Sequence, residues 1–216
     1  MSSRIVLVPG LGLDGRSSTA VRERTGADVV LLPGMGRRGP VPPLEDLAAD
    51  LGRRLGKGPV LLVGHSQSCH IVVATAQCDP RVVGVVLLGP TTDPRLRTLR
   101  GLTGRWLATS IAEPIWQFPL VLRQWLHTGP RAMRALWRLA APDPITARLA
   151  TVDVPVTVVR GTRDRLCDAD WAARVAAAAP RGLLVEVPGA AHMTVQTHVD
   201  EVVALLMAAA RPPSPG

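Results

Sequence analysis

Six short runs of apolar, mostly β-branched residues recur along this 216-residue chain and constrain its fold more than any other feature. They cover residues 4–8, 28–32, 60–63, 82–88, 154–159 and 183–187, with helix-like segments at 17–24, 44–55, 67–77, 168–179 and 195–210. A run such as Val60-Leu61-Leu62-Val63 shows no alternation of polar and apolar residues, which suits a strand covered on both faces. Strands alternating with helices predict an α/β fold, a mostly parallel sheet of about six strands with helices on both faces. The one long break, from Gly89 to Thr151, exceeds a simple crossover.

That break is helical in pattern, interrupted by prolines, and holds Trp106, Trp116, Trp125, Trp137 and Phe118, the only Phe; Trp171 alone lies elsewhere. The division predicted is a core over 1–90 and 151–211, a helical lid over 91–150 and a frayed tail at 212–216. The aromatic residues make the lid a candidate cover for an apolar pocket, with Trp106, Trp116, Phe118, Trp125 and Trp137 as candidate lining.

Charge bears on the same segment. Of the formal net charge of +8, residues 91–150 supply +6, from nine Arg against Asp93, Glu113 and Asp143. Without a basic tract or nucleic-acid fingerprint, nucleic-acid binding is not expected. A basic lid suits an anionic substrate or an acidic carrier protein instead. Cys69, Cys78 and Cys167 are odd in number and lack metal-ligand spacing, and the chain enters its first strand without a signal peptide. A cytoplasmic protein with no metal or organic cofactor is therefore expected. Residues 106–126 contain Glu113, Arg123 and two prolines, so no membrane span is predicted.

The chemistry centres on Gly64-His65-Ser66-Gln67-Ser68, a tight turn between a buried strand and a small-residue helix. A serine there projects its hydroxyl at the carboxyl edge of the sheet, as in the Gly-x-Ser-x-Gly nucleophile elbow, with Ser68 in place of the last glycine. Serine needs a base, and the base needs an orienting acid. His192, in the loop after run 183–187, reaches the same edge. His65 and His70 flank the turn and point elsewhere, His127 lies in the lid, and His198 opens a helix. Asp164 follows run 154–159. Asp93, after run 82–88, is the second candidate acid, while Asp168 and Asp170 read as helix-start residues.

With Pro9-Gly10-Leu11-Gly12, the elbow, Gly161-Thr162-Arg163-Asp164 and Gly189-Ala190-Ala191-His192-Met193 in this order, the chain resembles a small, cap-bearing α/β-hydrolase. The resemblance implies an acyl-enzyme mechanism with Ser66 as nucleophile, His192 as base and Asp164 as orienting acid. It also implies an oxyanion hole from the backbone N–H groups of Leu11 and Gln67. Pro9 stands where many relatives carry histidine, and the leading antiparallel strands of the family are not expected here. Ser68 is expected to be tolerated, to cap the helix or to face the pocket. The implied activity is hydrolysis of a carboxylic ester, or a thioester, of a hydrophobic small molecule, anionic or neutral. Carbon–carbon bond hydrolysis, a cyclase or dehydratase using the same pocket, and a non-catalytic receptor are the alternatives.

Overall fold

The computed structural model describes residues 3–96 and 99–211, and of residues 96, 99–103 and 106 the backbone alone. The tail at 212–216 and the side chain of Trp106 lie outside what is described. In chain order the strands are β1 (Arg4–Val8), β2 (Asp28–Val29), β3 (Leu32–Pro33), β4 (Gly36–Arg37), β5 (Val60–His65), β6 (Val82–Leu88), β7 (Val156–Gly161) and β8 (Gly182–Val187). Six of them form one sheet in the order β2-β1-β5-β6-β7-β8, and every pairing in it is parallel.

Helices cover both faces. They are α1 (Thr19–Thr25), α2 (Leu44–Arg54), α3 (Cys69–Cys78), α4 (Leu99–Ala112), α5 (Gln117–Thr128), α6 (Pro130–Ala140), α7 (Ile145–Leu149), α8 (Ala169–Ala178), α9 (Thr194–Thr197) and α10 (Val199–Ala209). Successive strand residues point to opposite faces, which splits the core in two. Val6, Val8, Leu62, Val85 and Val158 pack under α2, α3 and α8. Ile5, Leu7, Leu61, Val63 and Val86 pack beneath α10. The centre of α3 is fully buried at Ile71, Val72 and Val73, each worth about 1.5–3 kcal/mol of burial. That explains why the segment after Ser66 is apolar all round.

Two expectations shift. The run at 28–32 pairs with β1 only at Asp28–Val29. The chain then turns at Pro33–Gly34, so that Leu32 and Pro33 pair with Gly36 and Arg37 in a separate two-stranded ladder. The interposed segment is likewise not all lid. Its last helix, α7, packs on α3 and α8, with Ile145 and Leu149 in the core.

The strand order reverses between β1 and β5, where the connections leave in opposite directions. Ligands of open α/β sheets bind at such a switch point, beyond the carboxyl ends of the strands. Register places Val8 beside Gly64 there, so the loop after β1 lies against the turn after β5. Among the described residues no helix is long and apolar enough to cross a membrane.

Candidate active site

Ser66 occupies the sharp turn after β5 with φ 58°, a left-handed conformation that L-residues adopt at a cost and that clusters at functional turns. The turn closes because Gly64 has no side chain: a Cβ there would stand 3.0 Å from the Cα of Cys69. Ser68 is buried, and its Oγ accepts the His65 N–H at 2.8 Å and lies 2.8 Å from the Val8 carbonyl, to which it can donate. The hydroxyl thus ties the elbow to the end of β1 and leaves the cavity wall to Ser66 and Gln67. The alternative in which Ser68 faces the pocket is corrected by these backbone bonds.

Loops after two other strands complete a relay. Ser66 Oγ lies 2.9 Å from His192 Nε2, and His192 Nδ1 lies 2.7 Å from Asp164 Oδ2. The second oxygen of Asp164 accepts the N–H groups of Leu166 (2.8 Å) and Cys167 (3.0 Å). With the carboxylate so oriented, the proton of His192 sits on Nδ1 and Nε2 is free to receive one from Ser66. Gly89 backs the pair closely: a Cβ there would meet the His192 ring at 3.1 Å and Asp164 Oδ2 at 3.3 Å. Burial pushes the His192 pKa down, but the Asp164 carboxylate, its hydrogen bond and the charge of Glu113 outweigh it, and the net shift is upward.

His65 is distinct. Burial first, then the nearby His192, drive its pKa down to about 3, so it is neutral and its Nε2–H supports the His192 carbonyl at 3.2 Å. Asp93, the other acid considered, is engaged by Arg95 at 2.5 Å and by Arg174 at 3.5 Å, away from His192. Asp168 caps α8 through the Trp171 N–H. Burial pushes the thiols of Cys69 and Cys167 upward, which leaves them inert beside the serine.

Leu11 and Gln67 both line the cavity above Ser66. Gln67 belongs to the single 3-10 turn over Ser66–Ser68, whose first N–H groups have no intrahelical acceptor. Gly10 brings the other loop close, since a Cβ there would stand 3.1 Å from Ser66 Cβ. The loop after β1 therefore packs directly against the elbow that carries Ser66.

The cavity holds about 750 Å³, room for a drug-sized ligand. Its roof is α4, α5 and α6, with α5 anchored to the loop after β1. Gln124 Oε1 accepts the Asp14 N–H at 2.8 Å, and Thr128 Oγ1 donates to the Gly12 carbonyl at 2.9 Å. Phe118, Trp125 and Trp137 line the cavity; Trp116 does not, because it turns outward at the start of α5 and is 58% exposed. No arginine is among the described lining residues, and the one carboxylate there is that of Glu113. Among the described residues the lid arginines are exposed or pair with acids, as Arg95 and Arg148 do, so none of them supports the expectation of an anionic substrate.

Three features escaped the sequence. Glu113 projects from the α4–α5 junction and its Oε1 accepts the Met193 N–H at 2.7 Å. Gln117 follows it, 2% exposed. His70, on α3, bonds Asp143 Oδ2 through Nδ1 at 2.8 Å and meets the Thr92 hydroxyl through Nε2. Asp143 also takes Arg148 at 2.7 Å, so this buried network fastens the end of the roof to the core. Thr92, on the cavity wall, is held at φ 68°.

A parallel sheet with a serine elbow at its switch point and an imidazole–carboxylate pair on neighbouring strand ends defines a hydrolase architecture. The sequence matches the alpha/beta hydrolase family over residues 5–205, and the chain belongs to that family. Similar solved structures include a thermophilic esterase (21% identity, TM-score 0.75, 94% of this chain and 88% of that one). A hydrolase from Oleispira antarctica is also similar (15%, TM-score 0.77, 96% and 90%), as is MenH from S. aureus (16%, TM-score 0.74, 95% and 92%). At these identities they establish the shared fold. Polyketide synthase ThaQ from Burkholderia thailandensis is 28% identical over 230 residues, covering 90% of this chain and 11% of that protein's length.

Proposed function

We propose that the chain is a serine hydrolase that cleaves an ester or thioester of a hydrophobic acyl group through Ser66, His192 and Asp164. The observation that carries this reading is the continuous Ser66–His192–Asp164 hydrogen-bond relay on the floor of an apolar cavity. Ser66 Oγ attacks the acyl carbon while His192 Nε2 takes its proton. The tetrahedral oxyanion is met by the N–H groups of Leu11 and Gln67. The carbon–heteroatom bond then breaks, and His192 returns the proton to the leaving alcohol or thiol. Water, deprotonated by the same nitrogen, attacks the acyl-enzyme and frees the acid. Asp164 keeps Nδ1 protonated throughout and stabilises the imidazolium.

A carrier-bound thioester is the favoured form of substrate. Arg131, Arg134 and Arg138 project at helical spacing from α6, all exposed, and form no ion pair among the described residues. They suit an acidic carrier protein. The similarity to a polyketide synthase is in keeping with an acyl chain in the pocket.

Purified protein assayed on short and medium-chain acyl N-acetylcysteamine thioesters and on p-nitrophenyl esters is expected to release acid from both, with the longer chains preferred. A fluorophosphonate is expected to add once per chain, at Ser66. Product of unchanged mass, or no turnover alongside no labelling, would exclude acyl-enzyme hydrolysis. The pH dependence follows from His192, whose pKa is raised from 6.5. The base works only when neutral, so kcat/KM is expected to fall as pH drops through that raised value, with the acid limb inflecting above 6.5. An inflection below this would show that burial outweighs Asp164.

A further inference from the structure

The roof grips the backbone on which the relay is built. From α4, Thr109 Oγ1 accepts the N–H of Arg165 at 3.1 Å, and just beyond its end Glu113 Oε1 accepts the N–H of Met193 at 2.7 Å. Arg165 directly follows the acid of the relay, Asp164, and Met193 directly follows its base, His192. Thr109 and Glu113 are four positions apart, so one turn of helix sets both acceptors on one face, with Cβ atoms about 5–6 Å apart. That turn carries on past Ala112, the last residue of α4, because the Glu113 N–H bonds the Ser110 carbonyl at 3.2 Å.

Helix stability gives no reason for this pair. A carboxylate at the C-terminus of a helix stands at the negative end of its dipole, and Glu113 is also half-buried. Thr109 is buried and belongs to the weaker helix formers. What the two side chains gain is control of two loops. The peptide between His192 and Met193 is held from both sides: His65 Nε2 donates to its carbonyl at 3.2 Å, and Glu113 takes its N–H. In the other loop, three consecutive N–H groups are divided. Those of Leu166 and Cys167 grip the Asp164 carboxylate, while that of Arg165 is held by the roof. The loops also meet directly, through the Arg163 N–H and the Ala190 carbonyl at 2.8 Å, so they remain neighbours without the roof. The end of α4 adds a strut between the peptides that follow the two reacting side chains.

We propose that α4 is a splint for the relay, with Thr109 and Glu113 as positioning residues that fix Asp164 and His192 relative to each other. The assignment deepens the hydrolase reading and rests on it for the roles of those two side chains. A roof lifted from the cavity loses both bonds, so the relay reaches its working geometry only beneath a closed roof.

The test pairs substitutions that keep or lose each acceptor at nearly constant shape. Thr109→Ser keeps the hydroxyl and Thr109→Val removes it. Glu113→Gln keeps the reach and loses the charge, whereas Glu113→Asp keeps the charge and falls one methylene short. On octanoyl N-acetylcysteamine thioester, kcat is expected to be about tenfold higher in Thr109→Ser than in Thr109→Val, and in Glu113→Gln than in Glu113→Asp, the scale of a sub-ångström misplacement. The losses should fall on kcat and not on KM, which separates positioning from binding. Combining Thr109→Val with Glu113→Asp is expected to cost no more than the larger single loss, since cutting either end frees the strut. Proton NMR reads the relay without substrate. The low-field signal of the His192 Nδ1 proton, bonded to Asp164, is expected to persist in Thr109→Ser and Glu113→Gln and to broaden or vanish in the other two. Losses that multiply in the double variant, or Glu113→Asp outperforming Glu113→Gln, would overturn the splint and leave the hydrolase standing. If the parent turns over no thioester or ester, the hydrolase reading falls and the NMR pattern decides the splint: the expected split upholds it, and a signal alike in all four variants refutes it.

Discussion

Replacing Ser66 by alanine is expected to lower kcat by about 10⁶-fold on any thioester or ester the protein turns over, the loss seen when a relay of this kind loses its nucleophile. The oxyanion donors and the cavity survive the change, so a residual rate of about 10³-fold over water is expected to persist. Nothing in the fold depends on the hydroxyl: its only partner among the described side chains is His192 Nε2, which then faces the open cavity. The backbone at φ 58° is held by Gly64 and Ser68, not by the serine side chain. Initial rates together with a thermal melt separate the two effects. A melt within a few degrees of the parent with activity lost would identify Ser66 as the nucleophile. Activity retained within tenfold would remove it from the mechanism and return the cavity to a binding role.

The parts of this fold that could be read in the sequence are those where burial leaves no choice of residue. Val60–Val63 and Val85–Leu88 sit mid-sheet with both faces covered, so they had to be apolar and favour β-branched residues. That Ser66, Asp164 and His192 would meet was legible for a related reason. Each follows such a strand directly, and a parallel sheet brings every strand end to one edge. The outer strand was less legible because Asp28–Val29 needs only two residues of pairing before Pro33 redirects the chain.

Pairings across long sequence distances were not legible at all. His70 does point away from Ser66, as its neighbours imply, but its partner Asp143 lies 73 positions on, in another element. Glu113 and Gln117 sit in a proline-broken helix junction where polar residues ordinarily face water. Only the closure of α4 and α5 over the cavity turns them inward. The lid arginines gave the opposite lesson, since their number suggested an anion site. Arginine is long enough to reach acids or solvent on the outer surface, and in the described structure it leaves the cavity to Trp125, Trp137 and Glu113.

The acid of the relay admits a sharper test than its removal. Asp164 Oδ1 accepts two backbone N–H groups, from Leu166 and Cys167. In Asp164→Asn the amide oxygen must take that place, because a donor there would face two donors. The amide nitrogen is then turned toward His192 Nδ1 and can only donate to it. The imidazole is forced into the other tautomer, with its proton on Nε2, where it cannot receive one from Ser66. The expected loss in kcat is about 10⁴-fold with the fold unchanged, and loss of the adjacent carboxylate should also lower the His192 pKa. Asp93→Asn provides the contrast. Its buried carboxylate serves the half-exposed Arg95 and Arg174 and takes no part in the relay, so the variant is expected to lose stability and to keep kcat within about threefold. Measured side by side, a large loss in Asp93→Asn with near-parent turnover in Asp164→Asn would reverse the assignment of the acid. The expected order would fix Asp164 as the group that sets the histidine's tautomer.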